Sequence, residues 1–407
     1  MGTWKVLDGN HAAAWGARLA RAQVLPIYPI TPQTEVATTL AEWVESGEMK
    51  AEYVTCEGEH SAMGIAGGAS AAGARVFTTS ASQGIVFMEE HIWIVAGQRL
   101  PIVMGIVNRA IANPGSLRSD HNDSLLQRDA GWLQFYCEDA QEVLDTCFQM
   151  YRIAEDKSVY LPAIFTWEGY VVGHTAMPVN VPDQEEVDAF LPPYKHERVF
   201  LEPERFVFEP VLRSVEESEE GALLMGTEAV FAMYQAQENA KKLAKEVNAE
   251  YGKRFGRTYG NGLIETYRAE DAEALILAMG STVGTARVVV DKMRAEGKRI
   301  GVVKLRAFRP FPTEDLRDAC MNARAIGIVE RNRSPGAPYG GGIVATEVAR
   351  ALYPLKDRPQ LIDFFVGLIG ADIYTRDVEK IANKTLAAAQ TGKAEKDVEW
   401  VQRVEKK

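Results

Sequence analysis

Two glutamates and a histidine follow a predicted strand in the segment EGEH, residues 57–60. Parallel α/β sheets place ligand sites at the carboxyl ends of their strands, so a carboxylate here is a candidate acid or base. A helix N-terminus also favours acidic residues through its dipole, without any chemistry. The dipole accounts for one glutamate, and both interpretations remain open at this point.

A second candidate is the polar stretch RAIANPGSLRSDHNDSLLQRD, residues 109–129, which follows the predicted strand LPIVMGIV. Irregular segments of this length inside compact domains are usually functional or mobile. Its charged side chains are Arg109, Arg118, His121 and Arg128, together with Asp120, Asp123 and Asp129. Such a loop can meet a substrate carboxylate. The alternative is a surface loop whose charges compensate one another.

Three prolines interrupt the apolar segment VLPIYPITPQTE, residues 24–35. Proline lacks a backbone donor and is poorly tolerated inside a paired sheet. We therefore predict that Pro29 ends the strand, that Thr31 is the N-cap of the next helix and that Pro32 is its first residue. The turn is then on the same sheet edge as EGEH and the start of the polar stretch.

The glycine-rich segments do not match a nucleotide-binding motif. GIAGGASAAGA, residues 64–74, lies within a helical pattern, and the acidic residue of a Rossmann fingerprint is missing. MGSTVGTA, residues 279–286, is a strand-to-helix turn where Ser281 and Thr282 could hold an anion, but it lacks a P-loop lysine. GAPYGGGI, residues 336–343, is interpreted as a flexible turn that opens a helix.

Composition excludes several classes of function. The 407 residues carry a net charge of −11 without a dense basic block, which argues against a nucleic-acid or membrane-surface role. The 4 cysteines form no C-x-x-C pair, so we expect neither an iron–sulfur cluster nor a disulfide framework in this chain. There is no apolar signal core and no apolar run of membrane-spanning length. We predict a cytoplasmic protein.

Strand-like and helix-like segments alternate along most of the chain. This pattern predicts an α/β fold in which helices cover both faces of a mostly parallel sheet. The length favours two domains. We predict a first α/β domain at 1–175, a Pro-rich connection and long helix at 176–264, a smaller α/β domain at 265–390 and a polar tail at 391–407.

Several short blocks of this sequence occur together in one enzyme family. They are DGNHAAAWG (8–16), YPITP (28–32), EGEHSA (57–62), GASAAGARVFTTSASQG (68–84), RLPIVMGIVNRAI (99–111), DHNDSLLQRDAGW (120–132), RPFP (309–312) and VGLIGAD (366–372). Any one block is weak evidence. In this order, over nearly the whole chain, they resemble the alpha subunit of the 2-oxoacid:ferredoxin oxidoreductases.

The resemblance implies a fold and a reaction. The first domain is expected to be the pyrimidine-binding domain of a thiamine diphosphate enzyme, and the second resembles the transketolase C-terminal domain. The implied reaction is oxidative decarboxylation of a 2-oxoacid with coenzyme A, which gives an acyl-CoA, CO2 and two electrons. The electrons are expected to pass to ferredoxin, or to NAD through a flavin subunit.

The resemblance also implies that other chains complete the enzyme. The family's diphosphate and Mg²⁺ site carries a G-D-G motif, which is missing here, and the cysteines are not spaced for [4Fe-4S] clusters. A beta-type subunit is expected to supply the diphosphate, Mg²⁺ and cluster sites, and thus to share the thiamine diphosphate. Gamma- and delta-type subunits are expected to complete the complex. No metal ligand is assigned to this chain.

The family's functional residues fall on a few positions of this sequence. Glu59 matches the carboxylate that bonds a pyrimidine nitrogen of the cofactor, and Pro29 and Ile30 are assigned to cofactor contacts with it. Arg109 matches the arginine that meets the substrate carboxylate, and Thr31 the threonine that bonds the 2-oxoacid. The helix-dipole explanation then suits the other glutamate, Glu57.

Two departures within these motifs bear on the substrate. Oxalate-oxidising members of the family have arginine where Thr31 stands, so Thr31 argues against oxalate. Pyruvate-type members commonly carry Ile-Trp or Ile-Phe after the substrate arginine, whereas this chain has NPGSL at 113–117. The smaller side chains leave room for a branched or aryl group, such as that of phenylglyoxylate, as an alternative to pyruvate.

Two other classes of function are alternatives. A nucleotide- or CoA-binding α/β enzyme of another class would need a phosphate-binding loop, and none is found in the sequence. A non-catalytic scaffold subunit would keep the fold without the chemistry. The joint presence of Glu59, Arg109 and Thr31 argues against such a scaffold.

Overall fold

The computed structural model describes residues 2–112, 114–195 and 219–403. Its helices are α1 (Gly9–Leu19), α2 (Thr34–Glu45), α3 (Glu59–Ala71), α4 (Gln83–Phe87), α5 (Glu89–Gly97), α6 (Asn122–Leu125), α7 (Ala140–Ala154), α8 (Gln184–Phe190), α9 (Glu219–Phe255), α10 (Thr282–Ala295), α11 (Thr313–Cys320), α12 (Ile343–Leu352) and α13 (Thr375–Thr391). Its strands are β1 (Thr3–Leu7), β2 (Val24–Ile27), β3 (Glu52–Thr55), β4 (Phe77–Ser80), β5 (Val103–Asn108), β6 (Leu133–Tyr136), β7 (Ala163–Glu168), β8 (Met177–Val181), β9 (Ile264–Tyr267), β10 (Ala274–Ala278), β11 (Ile300–Leu305), β12 (Ala307–Arg309), β13 (Ala325–Glu330), β14 (Gln360–Phe365) and β15 (Val398–Trp400).

The first domain is built on a sheet with the order β12-β6-β7-β5-β4, in which only β12 runs antiparallel to its neighbour. A bridge between Val24 and Val76 connects this sheet to the parallel pair β2 and β3. The central strands β5 and β7 are buried along their whole length, as expected for parallel strands covered on both faces. Helices α1 and α7 pack on one face, and α3 and α5 on the other. The predicted architecture of this domain is confirmed.

The second domain contains the sheet β15-β14-β13-β10-β11-β9, in which only β9 runs antiparallel to its neighbour. Helices α10 and α13 cover one face, while α11 and α12 cover the other. A second, smaller α/β domain is therefore confirmed. The segment predicted as a polar tail contains β15, whose Trp400 ring stacks on Phe365 at 4.7 Å. The residue bounds given to the four regions stay a prediction.

The turn after β2 differs from the prediction. Helix α2 begins at Thr34 with Gln33 as its N-cap, so the roles given to Thr31 as N-cap and to Pro32 as first helical residue are wrong. The reason is a tight turn closed by Gln33, whose backbone N–H donates to Ile30 O at 2.8 Å. The helix therefore starts two residues later than predicted. The Thr31–Pro32 peptide bond is cis.

The connection between the domains is partly regular. Strand β8 pairs antiparallel with β1, and α8 follows it. The acidic stretch FLEPERFVFEP, residues 200–210, lies outside the described residues. Helix α9 then leads to the second domain. None of the helices in the described parts of the chain is both long and apolar enough to cross a membrane.

The two domains share a sheet edge and a buried ion network. Strand β12 leaves the second domain and pairs antiparallel with β6 of the first. Just before it, Lys304 and Arg306 reach the buried Glu142 on α7, at 2.6 Å and 2.8 Å. The second domain is thereby held against β6 and α7 of the first domain.

Candidate functional site

Five strands of the first domain end at one edge of its sheet. They end at Ile27, Thr55, Ser80, Asn108 and Glu168. Because parallel strands run in one direction, the segments that follow them lie together, and this edge is where α/β sheets bind ligands. The predicted site residues all lie in these segments.

Arg109 and Thr31 are in direct contact. Nη1 of Arg109 donates to the backbone oxygen of Thr31 at 2.9 Å. Thr31 is exposed and Arg109 is half-buried. Nε of Arg109 is buried and has no acceptor among the described residues. The guanidinium therefore keeps an unused donor, which suits a group that binds a carboxylate.

The backbone under Arg109 is held by the buried carboxylate of Asp123. This carboxylate accepts from the backbone N–H of Arg109 at 2.9 Å, of Ser82 at 3.0 Å and of Ser124 at 2.8 Å. It also accepts from Nδ2 of Asn108 at 2.7 Å. Burial raises the pKa of Asp123 to about 7, against the opposing effect of these hydrogen bonds. In the sequence Asp123 is one of several charged residues of the polar stretch, and no local pattern distinguishes it.

Glu59 lies on the same edge as the first residue of α3, and it is 7% exposed. Gly84 lies against its carboxylate, because a Cβ built on Gly84 would overlap Glu59 Oε1 and Ser80 Oγ. Among the described residues, no donor reaches the Glu59 carboxylate, and Ser80 Oγ is buried without a partner. A buried hydroxyl without a partner is costly unless something else bonds it, and the unpaired Glu59 carboxylate is free to bond a ligand at the same place. The site therefore fits a cofactor ring that offers an N–H.

The other residues of the turn after β2 face the surface at this edge. Pro29 is exposed and Ile30 is half-buried. Nδ2 of the buried Asn10 donates to Pro32 O at 2.8 Å, which fixes the turn on α1. Gly169, after β7, lies against the Pro32 ring. The contacts of Pro29 and Ile30 with a cofactor stay a prediction.

The structure joins two of the three catalytic candidates and leaves the third apart. In the described part of the chain, no hydrogen bond connects Glu59 with Thr31 or Arg109. Glu59 follows β3, whereas the Thr31–Arg109 contact connects the ends of β2 and β5. Glu57 is exposed, and the hydrogen bond from Ser61 Oγ, 2.7 Å long, lowers its pKa.

The strand-to-helix turn at Ser281 does hold an anion, but the anion is the chain's own Glu168. The backbone N–H of Ser281 donates to Glu168 Oε1 at 3.1 Å. His121 Nε2 lies 3.1 Å and Arg331 Nη1 3.4 Å from the same oxygen. Burial opposes ionisation, yet the hydrogen bond from His121 and these charges hold the pKa of Glu168 below its usual value. The turn is not available to an external anion.

Backbone N–H groups of the glycine-rich turn before α12 likewise donate to carboxylates of this chain. The N–H of Gly342 donates to Asp363 Oδ2 and that of Ala345 to Glu330 Oε1, both at 2.6 Å. Burial raises the pKa of both carboxyls, that of Asp363 to about 6, and the repulsion between the two raises that of Glu330 further. The backbone donors of this segment are therefore occupied by acidic side chains of the second domain.

Metal-ligating side chains are scattered in the structure. Within the described ranges, no three or more His, Cys, Asp or Glu side chains are grouped to hold a metal ion. The cysteines Cys56, Cys137, Cys147 and Cys320 are buried and not disulfide-bonded. The expectation that Mg²⁺ and iron–sulfur clusters reside in partner chains stays a prediction.

Two family models match this chain. The thiamine diphosphate-binding model of the pyruvate flavodoxin/ferredoxin oxidoreductases matches residues 15–247. The model of pyruvate:ferredoxin oxidoreductase core domain II matches residues 272–378. Together they correspond to the two domains of the structure.

Curated relatives match over nearly the full length. Pyruvate synthase subunit PorA of Pyrococcus abyssi is 41% identical over 396 residues, which is 97% of either chain. Ketoisovalerate oxidoreductase subunit VorA of Pyrococcus horikoshii is 42% identical over 396 residues, with the same coverage. PorA of Methanocaldococcus jannaschii is 42% identical over 380 residues, 93% of this chain and 94% of that one.

Solved structures share the fold at low identity. A 2-oxoglutarate:ferredoxin oxidoreductase from Magnetococcus marinus aligns with a TM-score of 0.70 and 17% identity, covering 94% of this chain and 65% of that longer one. A split-gene transketolase aligns with a TM-score of 0.53 and 15% identity, covering 94% of this chain and 99% of that one. These alignments confirm the predicted fold class.

Proposed function

Because the chain belongs to the pyruvate flavodoxin/ferredoxin oxidoreductase family, we propose that it is the alpha-type subunit of a 2-oxoacid:acceptor oxidoreductase. The reaction is CoA-dependent oxidative decarboxylation of a 2-oxoacid to an acyl-CoA, CO2 and two electrons. The observation that carries this proposal is the contact of Arg109 with the Thr31 turn, on the sheet edge that also holds Glu59.

Arg109 binds the carboxylate of the 2-oxoacid in this proposal. Its Nη1 is already anchored on Thr31 O, and its buried Nε has no acceptor in the described part of the chain. A carboxylate would complete the guanidinium's hydrogen bonds. The exposed Thr31 can donate its hydroxyl to the bound acid without adding a second positive charge, which favours monocarboxylic 2-oxoacids over oxalate.

Glu59, Pro29 and Ile30 are the residues of this chain that would hold thiamine diphosphate. When bound, the cofactor supplies a carbon nucleophile and an electron sink for decarboxylation. Glu59 would bond a pyrimidine nitrogen and hold or share a proton at its carboxylate. Its burial beside Gly84 keeps water from competing for that proton.

The acyl group of the substrate is less well defined than its carboxylate. Relatives that act on pyruvate and on ketoisovalerate, as their names state, are 41% and 42% identical to this chain, so identity does not separate them. Residue 113 lies outside the described residues, while Pro114, Gly115 and Leu117 are exposed. We propose pyruvate or a larger branched or aryl 2-oxoacid, such as phenylglyoxylate, with the open 114–117 segment favouring the larger acids.

A beta-type subunit completes the site in this proposal. An exposed apolar face lies beside Glu59 and consists of Ile65, Val86, Phe87, Trp93 and Ile94, each 36–59% exposed. The Phe87 ring lies against Gly58, the residue before Glu59. Large exposed apolar faces mark protein interfaces. A cofactor shared between two chains requires the partner to approach Glu59, and this face offers the contact surface.

The remaining parts of the proposal follow from the family. The beta-type subunit would carry the diphosphate, Mg²⁺ and [4Fe-4S] sites. Gamma- and delta-type subunits would complete a cytoplasmic complex that passes electrons to ferredoxin, or to NAD through a flavin subunit. A panel of 2-oxoacids, assayed on the co-purified complex with CoA and a viologen acceptor, tests the activity. A kcat/KM for pyruvate at or above that of branched and aryl acids would contradict the preference for larger acids.

Glu59→Gln should abolish turnover in the purified complex while assembly persists. Glutamine keeps the size of the side chain but cannot hold a proton as a carboxylate does, and loss of a positioned acid or base costs about 10²–10⁴-fold in rate. Glu57→Gln, an exposed change two residues away, is the matched control and should keep full activity. Retained activity in Glu59→Gln would remove Glu59 from its role.

Arg109→Ala should raise the KM for every 2-oxoacid. A hydrogen bond to a charged group contributes about 1.5–3 kcal/mol, which corresponds to a KM roughly 10–150-fold higher. Arg128→Ala, in the same polar stretch, is the control because its guanidinium bonds Leu125 O rather than the Thr31 turn. An unchanged KM in Arg109→Ala would assign the substrate carboxylate to another anchor.

A further inference from the structure

A small pocket lies at the seam between the two domains. Its volume is about 290 Å³, and its lining includes Arg118, Ser119, Tyr170, Arg331 and Asp372. These residues come from the segment after β5, the segment after β7 and the carboxyl edge of the second sheet. The pocket therefore exists only when both domains are in place, and neither Arg109 nor Glu59 lines it.

A buried hydroxyl without a partner lines this pocket. Ser119 is 1% exposed, and its Oγ has no hydrogen-bond partner among the described residues. Buried hydroxyls in proteins nearly always have a partner, so an unsatisfied one beside a cavity indicates a group that enters from outside.

The two arginines of the pocket are also incompletely bonded. Arg331 is 5% exposed, and its contacts with Glu168 Oε1 and Gly367 O are both long, at 3.4 Å. Arg118 Nη1 lies 3.7 Å from Asp372 Oδ2, beyond hydrogen-bond distance. Asp372 is the carboxylate that lines the pocket. No hydrogen bond to a described residue is found for the guanidinium of Arg118 or for Nη2 of Arg331.

The pocket is rigidly built. The N–H of His121 donates to Arg331 O at 2.8 Å, and the N–H of Ile369 to Asp120 Oδ2 at 3.3 Å. Gly370 has a φ of +80° and touches Arg118 so closely that a Cβ would overlap it. These bonds hold the two walls at a fixed separation, so the donors are positioned before a ligand arrives.

We propose that this pocket is a binding subsite for a phosphate-type dianion. Guanidinium groups and a hydroxyl are the donors that phosphate oxygens prefer. The volume of about 290 Å³ is sufficient for a phosphate or diphosphate group. The subsite adjoins the substrate arginine, because Ala110 N–H donates to Arg118 O at 3.0 Å.

Two molecules could bring this chemistry, namely free inorganic phosphate and a phosphate group of coenzyme A. The second source rests on the proposed function, and the first does not. Binding of inorganic phosphate is therefore measured first, by calorimetry on the purified complex without turnover. A complex that lacks oxidoreductase activity can still pass this test, so failure of the proposed function is distinguishable from failure of the subsite.

Arg118→Gln and Ser119→Ala are the test variants, and both should weaken phosphate binding at least about fivefold. Arg350→Gln on α12 is the control, since it removes an exposed arginine that does not line the pocket. The complex must elute intact with each variant. Unchanged phosphate affinity in both variants, or no phosphate binding by the wild-type complex together with an unchanged KM for coenzyme A, would overturn the proposal.

The source of the bound phosphate group is identified by comparing thiol acceptors of the acyl group that carry different numbers of phosphate groups. If the subsite takes a phosphate of coenzyme A, both variants raise the KM for coenzyme A relative to that for pantetheine, which has no phosphate. Dephospho-coenzyme A then shows whether the terminal phosphate or the diphosphate is bound. If the ratio stays constant while phosphate binding weakens, the subsite binds free phosphate.

Discussion

At the residue scale, Asp123 determines where Arg109, the proposed substrate-binding arginine, lies. Its carboxylate accepts from the N–H of Arg109 and of Ser82, so it joins the segments after β5 and β4. Ser82 has a φ of +51°, which is unfavourable for a residue with a side chain. Gly84, two residues later, lies against the carboxylate of Glu59. One buried acid thus links Arg109 to the surroundings of Glu59, the proposed catalytic carboxylate.

Asp123→Asn should change the pH dependence of stability. Burial raises the pKa of Asp123 from 3.8 to about 7, so between these values the folded protein keeps a proton that the unfolded chain has released. The free energy of unfolding therefore falls as pH rises through this window. Asparagine does not titrate, and the variant should gain roughly 2 kcal/mol relative to wild type between pH 5 and pH 8.

Urea unfolding of both proteins at pH 5 and pH 8 measures this difference. Asp318→Asn on α11 is the control for the exchange of an exposed aspartate. Parallel pH profiles for wild type and Asp123→Asn would show that Asp123 is ionised throughout. Because asparagine also offers one acceptor fewer to the Arg109 N–H, the KM for the 2-oxoacid should rise in the same variant.

The site residues differ in how far sequence could locate them. Glu59, Arg109 and Thr31 lie in short blocks after strands, and topology brings those strand ends together. The capping role given to Thr31 failed because Gln33 closes its own turn three residues after Ile30. The Glu168 network was missed, since its partners are 47 and 113 residues away in sequence and no local pattern connects them.

At the scale of elements, helix α7 anchors the second domain through Glu142. This carboxylate is buried and bonds Lys304 Nζ at 2.6 Å and Arg306 Nε at 2.8 Å. Burial opposes its ionisation, but the two cations lower its pKa below the usual value. Removing one partner from a buried ionic network leaves a buried charge uncompensated. The network therefore makes the packing of α7 on β11 sensitive to single changes.

Glu142→Gln should lower the free energy of unfolding by about 3–5 kcal/mol. The expected loss comes mainly from Arg306, whose buried charge would keep only neutral partners, whereas Lys304 keeps Glu138 at 3.0 Å. Glu379→Gln is the matched control, because Glu379 pairs with Lys292 at a similar 2.7 Å on the exposed surface. That change should cost less than about 1 kcal/mol. Equal losses in the two variants, measured by urea unfolding, would contradict a special role for the buried network.

The buried strands at the centre of the first sheet could be predicted from the sequence, whereas short strands at the sheet edges could not. Strands β5 and β7 are long buried runs, and such runs are distinctive in a sequence. The segment RIGVVKLRAF, residues 299–308, also has the pattern of a single strand. In the structure the strand is interrupted at Arg306, and the residues after it form β12, which pairs with β6 in the sheet of the first domain. The short edge strand β15 lies in the segment that was predicted as a polar tail. Edge strands have little apolar content, so a pattern of hydrophobic residues does not reveal them.

At the scale of the whole molecule, the second domain supports the loop that carries Arg109. Strand β12 completes the first sheet, and Phe308 packs on Tyr136 across the seam. Asn122 Nδ2 donates to Arg333 O at 2.8 Å, which fixes the polar stretch on the second domain. The two domains thus form one scaffold. Its apolar face beside Glu59 is exposed on the surface of the first domain.

Phe87→Asp should prevent a tagged copy of this chain from co-purifying the beta-type subunit. Phe87 is 59% exposed, so a carboxylate there leaves the fold intact, as circular dichroism would show, but cannot be buried in an apolar interface without a partner. Met321→Asp is the matched control, because Met321 is 71% exposed on the second domain, where this proposal places no partner. Loss of the partner in Phe87→Asp alone assigns the interface to the face beside Glu59. Equal recovery of the partner with both variants would place the interface elsewhere, and Glu59 would then need another route to a shared cofactor.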